Sequence, residues 1–519
     1  MSKQLLDTPS KHSSSLVALA DSAWNNIRDR AFGAAWSPLT RLAEKAALTL
    51  MQRIDVGHLR VLTYSNIYEF PLPGSEVSNA RDDLRAELRV VNDVFWVRLC
   101  AMGDLGFSEA YMYGDVECDD LVALFEIFLL NRKNLSNMDS MTSYLFTLPQ
   151  KLTSYRFLNN IGNSQSNISA HYDISNEMFA GFLSEDMTYS CAIFDTLDGD
   201  LRGLHGNQHA WSGGQRLLRL RSPSSRSLDS AIHWYPPPPP TQTPKDELHD
   251  AQMRKLRHIV AKARLSSNQR VLEIGSGWGS MAILIAQSFA GTTVDTLTLS
   301  VRQQSMAQSR IKAAGLEERI TVHLMDYRAM PDVWKGRFDR VISIEMIEAV
   351  GAEFLEEYWG VVDWALKPDV GVGVVQVITI PEPRYDRYRQ EIDFIRKWVF
   401  PGGFLPTVTH LLQAMEKGSS GRLIVDSISN IGPHYARTLR EWRRRFLDRF
   451  DSVIIPALRA EYPSVMSGPR GMHEIEVFKR KWLYYYCYCE VGFTTRTLGD
   501  HIITFTREGC VQYGCDVYE

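Results

Sequence analysis

The stretch RVLEIGSGWGSMAILIAQ, residues 270–287, sets a short apolar, strand-like run against a helix-like one, with glycines at 275, 277 and 279 between them. Outward from it, the same two patterns alternate. TTVDTLTLS (292–300), ITVHLMD (320–326), FDRVISIE (338–345) and GVGVVQVITI (371–380) read as strands. RQQSMAQSRIKAAG (302–315) and FLEEYWGVVDWAL (354–366) read as helices, and DELHDAQMRKLRHIVAKARL (246–265) places Leu248, Met253, Leu256, Ile259 and Val260 on one helical face ahead of the first strand. Short buried strands joined by crossover helices make an α/β fold, an open, mostly parallel, doubly wound sheet.

In such sheets a ligand sits beyond the strand carboxyl ends, at the first strand-to-helix turn. A dinucleotide site would carry G-x-G-x-x-G. Here Glu273 is followed by Gly275, Gly277 and Gly279 in the spacing G-x-G-x-G. A carboxylate at that mouth suits a ligand bearing an amine and a sulfonium better than a pyrophosphate, which favours S-adenosylmethionine over NAD. A ligand-free turn is the plainer reading, but three alternating glycines weaken strand and helix without return.

The whole chain sets the bounds. Its 519 residues suffice for more than one domain, and a formal net charge of -4 gives no global attraction to nucleic acid or anionic lipid. No apolar run approaches the ~20 residues of a spanning helix, and VGVVQVITI (372–380) is better read as a buried strand. The N-terminal LVALA is short for a secretion signal, which points to the cytoplasm. Seven cysteines without a C-x-x-C pair fit neither a disulfide scaffold nor a zinc site, so no metal is expected. Residues 1–160 mix strand-like pieces, LRVLTYSNIYEF (59–70) and AELRVVNDVFWVRL (86–99), with a helical LVALFEIFLLNR (121–132), and form a smaller N-terminal α+β domain ahead of a second domain at 161–519. Between about 200 and 245 the composition turns basic, Ser/Gly-rich and then polyproline, so this insertion is expected to be mobile.

Seven motifs together resemble the cyclopropane-fatty-acyl-phospholipid synthase family, with its Rossmann-like methyltransferase fold. They are HYDISNEMFAGFLSEDMTYSCAIF (171–194), the glycine turn, LTLSVRQ (297–303), SIEMIEAVG (343–351), FIRKWVFPGGFLP (394–406), IGPHYARTL (431–439) and YYYCYCEVGFTTRTLGD (484–500). The resemblance implies transfer of a methylene from S-adenosylmethionine to a cis double bond of a lipid acyl chain. It places Tyr189, Ser190, Gly275, Gly277, Thr298, Leu299 and Gln303 around the donor, with Asp326 and Tyr327 at its adenine end. Ring closure needs a base. The family's bound bicarbonate implies a cradle of Glu348, Tyr435 and the backbone of Cys191 and Ile378, with Gln376 where the family has a histidine. Glutamine hydrogen-bonds an anion but cannot carry charge or shuttle a proton, which makes a non-cyclising transfer more plausible. Cys191 is read as no nucleophile, since alkylation by a sulfonium needs none; His171 is read as a lid or structural histidine.

A bilayer lipid must also be reached. RTLREWRRRFLDRF (437–450) sets Leu439, Trp442, Phe446 and Phe450 on one face with Arg440, Arg443, Arg444, Arg445 and Arg449 around them, a pattern shared by interfacial helices and by ordinary core-facing ones. The region 381–470 is accordingly expected to be a helical, lipid-facing insertion. The partners expected are an unsaturated phospholipid in a bilayer, met peripherally, and no nucleic acid; the N-terminal domain is the candidate for presenting lipid or pairing as a homodimer. The alternatives are a non-cyclising lipid C-methyltransferase and a small-molecule N-methyltransferase.

Overall fold

The structure, a computed structural model, describes residues 37–72, 81, 83–135, 175–197, 246–466 and 468–514. The expected insertion at 200–245, His171 and the boundary near residue 160 lie outside the described residues.

The main sheet has seven strands, and its parallel part is β5 (Arg270–Ile274), β6 (Thr293–Thr298), β7 (Ile320–Leu324), β8 (Arg340–Ile344) and β9 (Val372–Thr379). With β10 (Leu423–Asn430) and β11 (Gly499–Arg507), the order across it is β10-β11-β9-β8-β5-β6-β7. All neighbours from β9 to β7 run parallel, whereas β11 is antiparallel to both β9 and β10. The chain therefore leaves β5 toward β6 and β7, then returns to build β8 and β9 on the other side. That reversal opens a crevice at the carboxyl ends of β5 and β8.

The burial patterns explain the apolar strand sequences. Val271 packs into one hydrophobic cluster and its neighbour Leu272 into another, on opposite faces of the sheet, and all but one residue of β9 are buried. β7, at one edge, mixes buried and exposed positions, and at the other edge β10 alternates along its whole length, as suits an edge strand. Its place corrects the expectation for 381–470, which is not a purely helical insertion: Leu423–Asn430 is part of the main sheet.

The N-terminal residues form a second sheet, of order β2-β1-β3-β4, from β1 (His58–Leu62), β2 (Ile67–Phe70), β3 (Arg85–Val90) and β4 (Val116–Cys118). The strand-like reading of 86–99 holds only to Val90; from Val94 the chain is helical to Tyr113, with a kink at Gly103. This helix (α1) and α2 (Leu121–Leu130) pack on the long α3 (Gly471–Thr494) through rings of Phe107, Tyr111 and Phe125 against Tyr484. Lys397 adds an ion pair to the fully buried Glu109 at 2.5 Å.

The helix Gly432–Asp448 lies in the core rather than at a free interface. Leu439, Trp442, Phe446 and the following Phe450 are each at most 3 % exposed. Its arginines are tied to the protein: Arg440 and Arg443 pair with Glu490, Arg444 with Glu441 and Asp448, and Arg445 with Asp246. Of the two readings of residues 437–450, the structure gives the core-facing one. Among the described residues no helix is long and apolar enough to cross a membrane.

Candidate active site

At the end of β5 the backbone takes positive φ at each glycine, 103° at Gly275, 47° at Gly277 and 89° at Gly279, before the helix Ser280–Ser288 begins. The amides of Gly275 and Ser276 both donate to the carbonyl of Leu297, pinning the turn to the end of β6. A Cβ added to Gly277 would meet no protein atom within 4 Å, so the turn leaves its bare side to the crevice.

A cavity opens there. Its walls include Tyr189, Ser190, Glu273, Gly275, Gly277, Thr298, Leu299, Gln303, Asp326 and Tyr327. Every residue assigned to the donor from sequence, save Gly279, thus lines one cavity. Gly279 instead caps the helix behind it, where an added Cβ would press on Ala307 at 3.3 Å. Thr298 donates to the Gln303 amide oxygen at 2.8 Å, and Asp326 accepts from Arg328 at 2.7 Å, so the polar groups on that side are held in place. Bare turn backbone, a row of fixed polar groups and a buried carboxyl group fit S-adenosylmethionine.

Glu273 is buried and takes the Thr296 hydroxyl at 2.6 Å. Burial pushes its carboxyl up to about 8, against the opposing pull of Thr296 and Lys255. Between its ordinary value of 4.5 and about 8 the folded protein holds a proton that the unfolded chain has released. Stability therefore falls as pH rises through that window. Glu273→Gln should flatten that slope, by at least ~1 kcal/mol between the two ends; denaturant titrations at several pH values measure it.

The segment Tyr189–Phe194 belongs to no ladder; the Ile193 amide donates to the Ala251 carbonyl, and side chains satisfy several of its other backbone groups. Ser190 carbonyl accepts from Gln252 at 2.7 Å, the Ala192 amide donates to Thr438 at 3.1 Å and the Phe194 amide to His434 at 3.1 Å. Lys255, fully buried, donates to the Ser190 hydroxyl at 2.6 Å. Burial holds the Cys191 thiol well above its ordinary range, which suits a packed thiol better than a nucleophile.

Tyr435, Gln376 and Cys191 do come together, but around a residue the sequence reading passed over, while Ile378 bonds Glu348. Glu345 follows β8 and accepts from the Cys191 amide at 2.8 Å, from Gln376 Nε2 at 2.7 Å and from the Tyr435 hydroxyl at 2.6 Å. The Ile378 amide donates to Glu348 at 2.5 Å, and the second hydrogen on Gln376 Nε2 goes to Asp500 at 2.8 Å. Three carboxyl groups thus share one buried pocket. Burial raises all three: Glu348 to about 8, helped by the charge of Glu345, and Asp500 well above the carboxylate range, helped by Glu345 and Glu348. Of the three, Glu345 alone lines the donor cavity.

This arrangement does not fit the bicarbonate implied by the resemblance. The single hydrogens of the Cys191 amide, the Tyr435 hydroxyl and the Ile378 amide, and both on Gln376 Nε2, are already given to carboxylates of the chain. A further anion would meet negative charge and no free donor from this set. Glu345 lay within the quoted motif SIEMIEAVG, and its place directly after a strand at the sheet's reversal is the signal that could have found it. Asp500, the last residue of the quoted motif 484–500, was also absent from the sequence-derived set, as was Lys255, which had no comparable mark.

The fold and the donor cavity define a methyltransferase dependent on S-adenosylmethionine. The chain belongs to the family described as mycolic acid cyclopropane synthetase, whose model matches residues 160–210 and 241–501. It is 32% identical to the tuberculostearic acid methyltransferase UfaA1 of Mycobacterium tuberculosis over 412 residues, 79% of this chain and 81% of that one. It is 29% identical to the cyclopropane-fatty-acyl-phospholipid synthase of Escherichia coli over 425 residues, 81% of this chain and 88% of that one. The fold is shared with a coclaurine N-methyltransferase bound to N-methylheliamine and SAH, at TM-score 0.52 and 16% identity over 77% of this chain and 98% of that one.

Proposed function

We propose that the protein transfers one carbon from S-adenosylmethionine to a cis double bond of an unsaturated phospholipid acyl chain, closing a cyclopropane ring. The observation that carries this reading is the meeting of the donor cavity with a buried carboxylate cluster at Glu345. An alkene that accepts a methyl group becomes a carbocation and must then lose a proton. An acceptor at the donor cavity is therefore what carbon alkylation requires, and an aromatic surround keeps water from the cation. Tyr189 supplies part of that surround, its ring against Phe179, Phe182 and Trp442 and its hydroxyl on Tyr485 at 3.1 Å.

A second reading, transfer without ring closure, is favoured by Gln376. It sits in the heart of the cluster and bridges Glu345 to Asp500, yet its amide does not titrate. On either reading the substrate is drawn from a bilayer that the protein meets peripherally, with the N-terminal domain as the candidate for presenting the lipid or for pairing two copies.

The experiment is mass spectrometry and proton NMR of lipids from cells expressing the protein. Ring closure and methylene formation both add one CH2 in mass, but only the first gives upfield ring protons and no remaining alkene. Unmodified lipids, together with turnover on small amines, would replace both readings by an N-methyltransferase.

A further inference from the structure

Glu345 is the one non-glycine residue at the cavity's carboxylate cluster whose backbone lies in the left-handed region, at φ 46°. Such a conformation costs a side-chain-bearing residue of order 1 kcal/mol or more, and persists where the surroundings over-determine it. The surroundings here do. Its amide donates to the Gln376 carbonyl at 2.8 Å, and three donors from β9, the Tyr189–Phe194 segment and the helix Gly432–Asp448 converge on its carboxylate.

The same bonds decide where the charge of the cluster rests. Glu348 accepts only the Ile378 amide and leaves Oε2 without a partner; Asp500 accepts Gln376 and leaves Oδ1 without one. A carboxylate with three donors holds its ionised form better than either neighbour with one, so protons in the cluster settle on Glu348 and Asp500 first. The buried Lys255 favours the ionised form of Glu345 and of Asp500 alike, so it is the count of donors that separates the two.

We propose that Glu345 is the proton acceptor of the reaction, a carboxylate built into the chain where a free carbonate-type anion would otherwise have to bind. This inference rests on the carbon-transfer reading above. The alkene π pair forms the bond to the donor's methyl carbon while the carbon–sulfur bond breaks with its electrons to sulfur, leaving S-adenosylhomocysteine and a carbocation. Glu345 then takes a proton from the added methyl group, and the released C–H pair closes the ring. If a hydride first shifts to the cationic carbon, the same proton loss gives an exocyclic methylene. The positive charge that enters as the sulfonium leaves as the proton on Glu345, which passes to water after the products depart.

The test measures S-adenosylhomocysteine release and lipid mass on vesicles of unsaturated phosphatidylglycerol, in buffer stripped of carbon dioxide, with and without millimolar bicarbonate. Wild-type turnover is expected to be the same in both. Glu345→Gln should lower it at least ~100-fold, with donor affinity retained. Glu345→Gly should be equally slow, but bicarbonate or formate should restore it about tenfold or more, because the vacated space keeps its three donors. Calorimetry should detect bicarbonate binding to Glu345→Gly and none to the wild type. Wild-type turnover that depends on bicarbonate, or a Glu345→Gln variant with an unchanged rate, would overturn the proposal alone. No wild-type turnover on these vesicles in either buffer would overturn the carbon-transfer reading, and this one with it.

Discussion

Gly275→Val is expected to lower affinity for S-adenosylhomocysteine at least ~100-fold, with the reason local to one turn. At φ 103° the backbone of Gly275 lies outside the small left-handed basin open to other residues, and a β-branched side chain is the least able to follow. Its Cβ would also come to 3.3 Å from both Cβ and Cγ of Met346, the residue after Glu345. The turn relaxes away from that conformation, taking with it the amide bonds to Leu297 and the cavity wall, at a cost to folding of about 1–3 kcal/mol. Gly277→Ala separates ligand from fold. Its φ of 47° falls within the left-handed basin and its methyl would meet no protein atom within 4 Å. Stability should therefore fall by only about 1 kcal/mol, whereas the methyl group intrudes on space the donor needs. Calorimetry and denaturant titration on the two variants measure both effects; wild-type affinity in both would place the donor elsewhere.

The parts of this molecule that were legible in sequence are those governed by local pattern. β5, β8 and β9 are buried on both faces, so they read as continuous apolar runs, and the glycine turn between β5 and its helix is marked by residue type alone. β10 escaped because it is an edge strand with alternating exposure, set among helices in sequence but added to the sheet through β11. The apolar face of Gly432–Asp448 was visible, but periodicity does not say whether such a face meets lipid or protein; α3 and its tyrosines decide that. Glu345 escaped for a related reason. Its donors lie 154, 31 and 90 positions away, at Cys191, Gln376 and Tyr435, and its positive φ leaves no trace in the residue type. The motif context led instead to Glu348, three positions on, which the fold places behind Glu345 in the same cluster with its Oε1 on the Ile378 amide.

Trp442→Ala is expected to destabilise the protein by about 3–5 kcal/mol and to lower turnover further than the lost stability accounts for. The indole is fully buried and packs at once against Tyr189, with ring centres 5.0 Å apart, against Phe182 at 6.0 Å and against Tyr435 at 6.0 Å. Removing it leaves a cavity behind a wall of the donor site and behind one of the three donors to Glu345, so both lose the packing that fixes their rotamers. Trp442→Phe should cost less, about 1–2 kcal/mol, because a ring remains and because the indole N–H, which is buried without a partner, is removed with the substitution. Denaturant unfolding measures the stability terms, and turnover under conditions where each variant is fully folded isolates the second effect. A loss below about 1 kcal/mol for Trp442→Ala would contradict the core position of this helix face, and would return residues 437–450 to the bilayer interface that their sequence also allows.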